Sequence, residues 1–228
     1  MVAPLSLSVA RRRITVCQAC PRLRAYCARI AQDKRPACRD ETYWGRPVPG
    51  FGDRRARLLI LGLAPGAHGA NRTGRPFTGD SASDFLMAAL QETGFANLPT
   101  SRHLRDGLKL TDAYITSVVR CAPPDNRPSG VEIAACHEHL QAEAAALPRL
   151  RAVVTLGRIA WDGYWRLMVD RGVTVKPRPK FQHGLICAPH GAPPVVGAYH
   201  PSQQNTHTGR LTATMLADVF SRARDLLG

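Results

Sequence analysis

The stretch RLLILGLAPG, residues 57–66, decides the fold. Arg57 to Leu63 is apolar without alternation and breaks at Pro65 and Gly66, so it reads as a strand covered on both faces and followed by a loop. Three further runs share that character: AYITSVV (Ala113 to Val119), RAVVTLG (Arg151 to Gly157) and VVGAY (Val195 to Tyr199). Helical patterns fill the gaps. SASDFLMAALQET (Ser81 to Thr93) spaces Phe85, Leu86, Ala89 and Leu90 as an amphipathic stripe, with Ser81 as the expected N-cap. The others are VEIAACHEHLQAEAAAL after Ser129, a segment from Arg158 to Val169, and LTATMLADVFSRARDLL near the end. This alternation predicts an α/β fold, a three-layer α/β/α sandwich on a mostly parallel four-stranded sheet. Residues 172–194, rich in Pro, Gly and Lys, read as a long connection between the third and fourth strands.

A chain of 228 residues, 44% apolar and 21% charged, carries a full core in one domain, 1–228, and is neither a disulfide-stapled mini-protein nor a disordered chain. The longest uncharged apolar stretch, Leu58 to Ala67, falls short of the roughly 20 residues of a membrane span, so no membrane partner is expected. MVAPLSLSVA precedes Arg11, Arg12 and Arg13, the reverse of a secretory signal, which makes the cytoplasm the expected compartment. The net charge is +14, and residues 1–57 hold 13 basic and 4 acidic side chains. Arginine dominates the cations, and its planar fork fits phosphate oxygens, so nucleic acid is the partner this field suits.

Seven cysteines, an odd number, argue against a disulfide framework and for a metal site. Two sets of four are open: the local C-x2-C-x6-C-x10-C of Cys17, Cys20, Cys27 and Cys38, or Cys17 and Cys20 with the distant Cys121 and Cys136. Four thiolates suit zinc or an iron–sulfur cluster equally.

In an open α/β sheet, ligands bind beyond the carboxyl ends of the strands. The loops there are GLAPGAHGANRTGRPFTGD (Gly62 to Asp80), RCAPPDNRP (Arg120 to Pro128), Gly157 with Arg158, and HPSQQNTHTGR (His200 to Arg210). The first, second and fourth, together with C-x2-C followed far downstream by Cys121 and Cys136, resemble the uracil-DNA glycosylase superfamily, and within it the type 5, or b-type, iron–sulfur enzymes. The resemblance implies a single glycosylase-like domain in which Cys17, Cys20, Cys121 and Cys136 hold a [4Fe–4S] cluster. The cluster would staple the basic segment 1–56 onto the core and bring Arg22 and Arg24 near DNA phosphates. Cys27, Cys38 and Cys187 are left as packing or surface thiols. The implied activity is that of a monomeric, monofunctional DNA repair glycosylase acting on DNA that contains uracil or other deaminated bases. No Lys stands in the matched loops to form a Schiff base.

Base excision demands particular side chains. A flipped base needs an aromatic to stack on and an amide to read its edge. Phe77 is the expected stacker. Related type 4 enzymes have Asn at the end of the second strand, where this chain has Ser117, which lacks the paired donor and acceptor of an amide. Asn126 is the candidate substitute, and a looser pocket should admit hypoxanthine beside uracil. Cleavage puts negative charge on the base and positive charge on the sugar. His200 is the expected donor to the base, and Asp80 the carboxylate that orients water or steadies the sugar, with helix capping as its rival role. Ala64 stands where many relatives have an acid or amide and cannot act on water. Gly62, Ala64 and His68 are expected around the base, with Asn71 close by. The amides of Gly66, Gly69 and Gly74 are expected to approach a phosphate. Arg72, Arg75, Ser202, Gln204 and Arg210 are expected on DNA, with Asn205 near the base. The competing expectation, from Ala64 and Ser117, is a catalytically weak iron–sulfur protein that binds DNA or senses redox state.

Overall fold

The structure, a computed structural model, describes residues 6–228, so the part of the N-terminal reading that falls on residues 1–5 lies outside it. Ser6 caps α1 (Leu7–Thr15), and α2 (Pro21–Asp33) begins on a proline, whose missing N–H costs nothing at that position. There follow β1 (Phe51–Gly52), β2 (Leu58–Gly62), the one-turn α3 (Ala70–Thr73), α4 (Ser81–Glu92), β3 (Ala113–Ser117), α5 (Gly130–Ala145), β4 (Ala152–Leu156), α6 (Arg158–Asp170), β5 (Ile186–Cys187), β6 (Val195–Ala198), α7 (Gln203–His207) and α8 (Ala213–Asp225).

The strand order is β1-β3-β2-β4-β6-β5. The inner four, the strands expected, are all parallel, while β1 and β5 pair antiparallel at the edges, so the sheet has six strands rather than four. Each edge strand is two residues long, too short for a period to reveal it.

The continuous apolar strands divide their side chains between two cores. Leu59, Leu61, Val153 and Val195 pack on one face with Leu23 of α2, Leu140 of α5 and Trp161 and Met168 of α6. Leu58, Ile60, Val154 and Val196 pack on the other with Leu86 and Leu90 of α4 and Leu216 and Phe220 of α8. Burial on both faces is why these runs do not alternate. No helix among the described residues is long and apolar enough to cross a membrane.

Two helix starts matter for the site. Asp80, not Ser81, caps α4: its Oδ1 accepts from the Ser83 N–H at 2.9 Å and from the Ser83 hydroxyl at 2.6 Å. Ser129 and Glu132 form a reciprocal capping box on α5. The Glu132 carboxylate also takes two bonds from Arg22, at 2.8 and 2.7 Å, fastening α2 to α5.

Candidate active site

The parallel register sets Gly62, the last residue of β2, beside Ser117, the last residue of β3. Phe77 returns over this corner from the loop after β2, with its backbone at φ +46°, a left-handed conformation that an aromatic residue adopts only under constraint. A Cβ on Gly62 would stand 3.0 Å from the Phe77 ring, so glycine there lets the ring lie down on the strand end. His200 follows β6 after one residue, Tyr199. Its ring centroid lies 5.9 Å from that of Phe77, at an interplanar angle of 33°. Gly157, at φ +95°, leaves room beneath the His200 Cβ, and Asn205 Nδ2 donates to the His200 carbonyl at 2.8 Å. Burial pushes the His200 imidazole down to about 4, against the opposing pull of the Asp80 carboxylate, so the ring is neutral at pH 7.

Asp80 divides its oxygens. Oδ1 is spent on the α4 cap, whereas Oδ2 receives no hydrogen bond among the described residues and lies against Gly66 and Gly69. A Cβ at Gly69 would be 2.0 Å from Oδ2, and one at Gly66 would be 3.0 Å away. These glycines therefore make room for a carboxylate, which is a different use from the phosphate approach expected of them. Gly74 has a third use, closing α3 at φ +76° against the Trp44 ring.

Three segments far apart in sequence thus meet at one rim: Phe77 and Asp80 after β2, Ser117 at the end of β3, and His200 with Asn205 after β6. Ala64 is half-buried against the apolar core. His68 Nδ1 pairs with the Tyr43 hydroxyl at 3.0 Å, and burial, with Arg35 and Arg72 nearby, lowers its pKa.

Other expected residues lie elsewhere. Arg72 is buried, ion-paired to Glu41 and donating at 2.8 Å to the carbonyls of His68 and Gly79. Arg75 is buried and forked on Asp106, with Thr78 and Ser101 completing its bonds. Neither guanidinium is free to meet a phosphate; both brace the loop that carries Phe77. Asn71 is fully buried and bonds the carbonyls of Cys27 and Ala67. Asn126 is exposed at the end of a 3-10 turn, with φ +55°, the turn geometry its residue type favours. Ser202 caps α7, Gln204 is exposed on it, and the exposed Arg210 lies 4.6 Å above the Tyr199 ring.

Residues 49–224 match the sequence model of the Uracil DNA glycosylase superfamily. The chain belongs to that superfamily. Within it, the chain is 50% identical to the Type-5 uracil-DNA glycosylase of Mycobacterium tuberculosis over 216 residues, 94% of this chain and 80% of that protein. It is 49% identical to the Type-5 uracil-DNA glycosylase of Mycobacterium leprae over 217 residues, covering 95% and 93% of the two chains. The Type-5 uracil-DNA glycosylase of Thermus thermophilus is 46% identical over 215 residues, covering 94% and 95%.

Outside the rim, this superfamily member gathers Cys17, Cys20, Cys121 and Cys136 around one pocket, the distant set rather than the local one. All seven cysteines are free thiols. The Cys121 thiol is pushed up by its contact with the Cys27 thiol and by burial. Cys136 rises to about 12 through burial, with Cys121 and Cys20 adding to it, and Cys20 rises through burial, then Cys121, Glu132 and Cys17. The sulfurs ring the pocket rather than close on one point: among the described residues no three Cys, His, Asp or Glu side chains converge tightly enough to hold a single metal ion. Buried nitrogens of Arg24 and His139, which line the same pocket, have no protein partner, so the donor set and its surroundings fit an anionic thiolate-ligated group. Arg24 therefore points inward, away from the phosphate contact expected of it, while Arg22 is held by Glu132 with its side chain half exposed.

Proposed function

We propose that this chain is a DNA repair glycosylase that extrudes uracil, or another deaminated base such as hypoxanthine, and hydrolyses its N-glycosidic bond to leave an abasic site. The observation that carries the reading is the 5.9 Å approach of the Phe77 and His200 rings, from loops more than a hundred residues apart, at the rim where Asp80 also ends. An extruded base stacks on Phe77, where each stacked base is worth about 1–3 kcal/mol. His200, neutral, donates a hydrogen bond to the base oxygen that gains charge as the bond breaks; being uncharged, it stabilises the departing anion without transferring a proton. Asp80 Oδ2, left free by the cap, orients water or faces the cationic sugar. Ser117 offers one hydroxyl where an amide would read two positions, which supports a broad choice of base. One chain completes the site, which supports action as a monomer, and the free thiols suit the cytoplasm, where thiols stay reduced.

Cys17, Cys20, Cys121 and Cys136 hold a [4Fe–4S] cluster in this proposal. When bound, it supplies a rigid link between the basic N-terminal helices and the loop after β3. The exposed Arg11, Arg12 and Arg13 on α1, with Arg210, then supply the charge that meets the DNA backbone. Binding without chemistry would explain Ala64 and Ser117, but it leaves His200 and Asp80 unused, and the relatives are named as glycosylases.

Single-turnover incubation with duplexes carrying one uracil or one hypoxanthine tests the activity. Alkali-labile abasic product is expected from both, and no product from either would overturn the reading. The preparation should be brown, with absorbance near ~400 nm and matching iron and sulfide content; a colourless protein carrying zinc would overturn the cluster.

A further inference from the structure

Two side chains bring unpartnered buried nitrogens to the cysteine pocket, Arg24 through Nε and Nη1 and His139 through Nε2, and Arg120, ion-paired to Glu143, lines it as well. Each is tied by chain geometry to a different cysteine. Arg24 stands four residues after Cys20, His139 three residues after Cys136 on α5, and Arg120 directly before Cys121. Helical spacings of three and four place residues on one face. Arg24 Nη2 donates to the Gly45 carbonyl at 3.1 Å, which anchors one end of the guanidinium and leaves the other facing the sulfurs. Arg120 Nη2 lies 2.9 Å from Glu143 Oε2 without hydrogen-bond geometry, while its backbone N–H donates to Cys136 Sγ at 3.2 Å.

A buried donor without an acceptor is costly, so the open nitrogens of Arg24 and His139 beside four cysteine sulfurs fit a bound anionic group. We propose that Arg24 and His139 donate hydrogen bonds to the sulfurs of the bound cluster, holding it in place and raising its reduction potential. This rests on the reading that the four cysteines carry a cluster. Donors and positive charge stabilise the more negative, reduced state, which is why hydrogen bonds to sulfur tune such centres. Arg120 is embedded with Glu143 in the core and is left intact in the test.

The full-length protein, Arg24→Lys, Arg24→Gln and His139→Phe are compared by iron and acid-labile sulfide content, iron release to a chelator, and potentiometry followed by electron paramagnetic resonance. Wild type should carry iron and sulfide in equal amounts. Arg24→Gln should release iron about tenfold faster and titrate at a more negative potential; Arg24→Lys should fall between, and His139→Phe should shift in the same direction. Circular dichroism shows which variants fold, and His139→Phe carries the test if Arg24→Gln does not. Folded variants that keep the wild-type potential and release rate overturn the assignment while leaving the cluster standing. Wild type without iron and sulfide overturns the cluster and the assignment with it.

Discussion

The free carboxylate oxygen of Asp80 occupies the space that a side chain on Gly69 would need, 2.0 Å from the position of its Cβ. One aspartate therefore serves both as helix cap and as candidate catalytic carboxylate, and the two roles can be separated. Asparagine caps a helix as well as aspartate does. Asp80→Asn should leave the melting temperature nearly unchanged while slowing single-turnover excision of uracil by roughly 10²-fold. Asp80→Ala should lose the same rate and about 1 kcal/mol of stability besides. A wild-type rate in Asp80→Asn would confine the residue to capping.

The neutral His200 has a signature in acid. Its folded pKa lies near 4, below the ordinary 6.5, so between these values the unfolded chain takes the proton first and stability falls as pH drops. The shift corresponds to at most about 3 kcal/mol, complete near pH 4. His68, His139 and His183 are shifted the same way, so the measurement is a difference. Denaturant titrations of wild type and His200→Gln should diverge between pH 7 and pH 4, with wild type losing more. His200→Ala should also cut the excision rate by 10²–10³-fold while leaving duplex affinity nearly unchanged. Equal losses of rate and affinity would remove its catalytic role.

What could be read in the sequence was what a local pattern controls. The four inner strands fall within two residues of their expected ends because burial on both faces writes an apolar run that no surface strand shows. Phe77 and His200 stand out because polar, Gly-rich loops hold few other reasons for them, whereas Asp80 stands where capping alone accounts for an aspartate. The direction of Arg24, Arg72 and Arg75 was not legible. Whether an arginine turns to solvent or inward depends on partners such as Glu41 and Asp106, which are far away in sequence and silent until the loops fold. Glu143 is illegible for the same reason: it looks like one more acid on α5, yet it is buried and accepts from Gly50, Tyr114 and Thr116. At Asn126 a turn residue and a base-reading residue look alike in sequence, and the structure shows the turn geometry.

Phe77 is held by Gly62 beneath it, and the pair predicts two graded losses. Phe77→Ala removes the stacking surface and should weaken capture of the extruded base by about 1–3 kcal/mol. Gly62→Ala keeps the ring but sets a methyl 3.0 Å from it, tighter than van der Waals contact, so the ring must shift. Rates at subsaturating enzyme should fall in both variants, more in Phe77→Ala. Undiminished excision in Phe77→Ala would end the stacking assignment.

The two classes of arginine predict opposite phenotypes. Arg75 is buried on Asp106, whose carboxyl it holds, with three backbone amides, well below the usual carboxylate range. Removing one partner of such a pair leaves a buried charge uncompensated, so Arg75→Gln should cost about 3–5 kcal/mol. Because the pair is intact only while Asp106 is ionised, its stabilisation holds at neutral pH and is lost as pH falls through the depressed carboxyl pKa. The salt dependence of DNA affinity should not change in this variant, for the charge removed never faced the duplex. Arg210, exposed above Tyr199, is the reverse case: Arg210→Gln should leave stability within about 0.5 kcal/mol and lower the slope of log affinity against log salt by about 1. Affinity measured at several salt concentrations, with denaturant melts on the same preparations, separates the two; a reduced slope in Arg75→Gln would return that residue to the DNA interface.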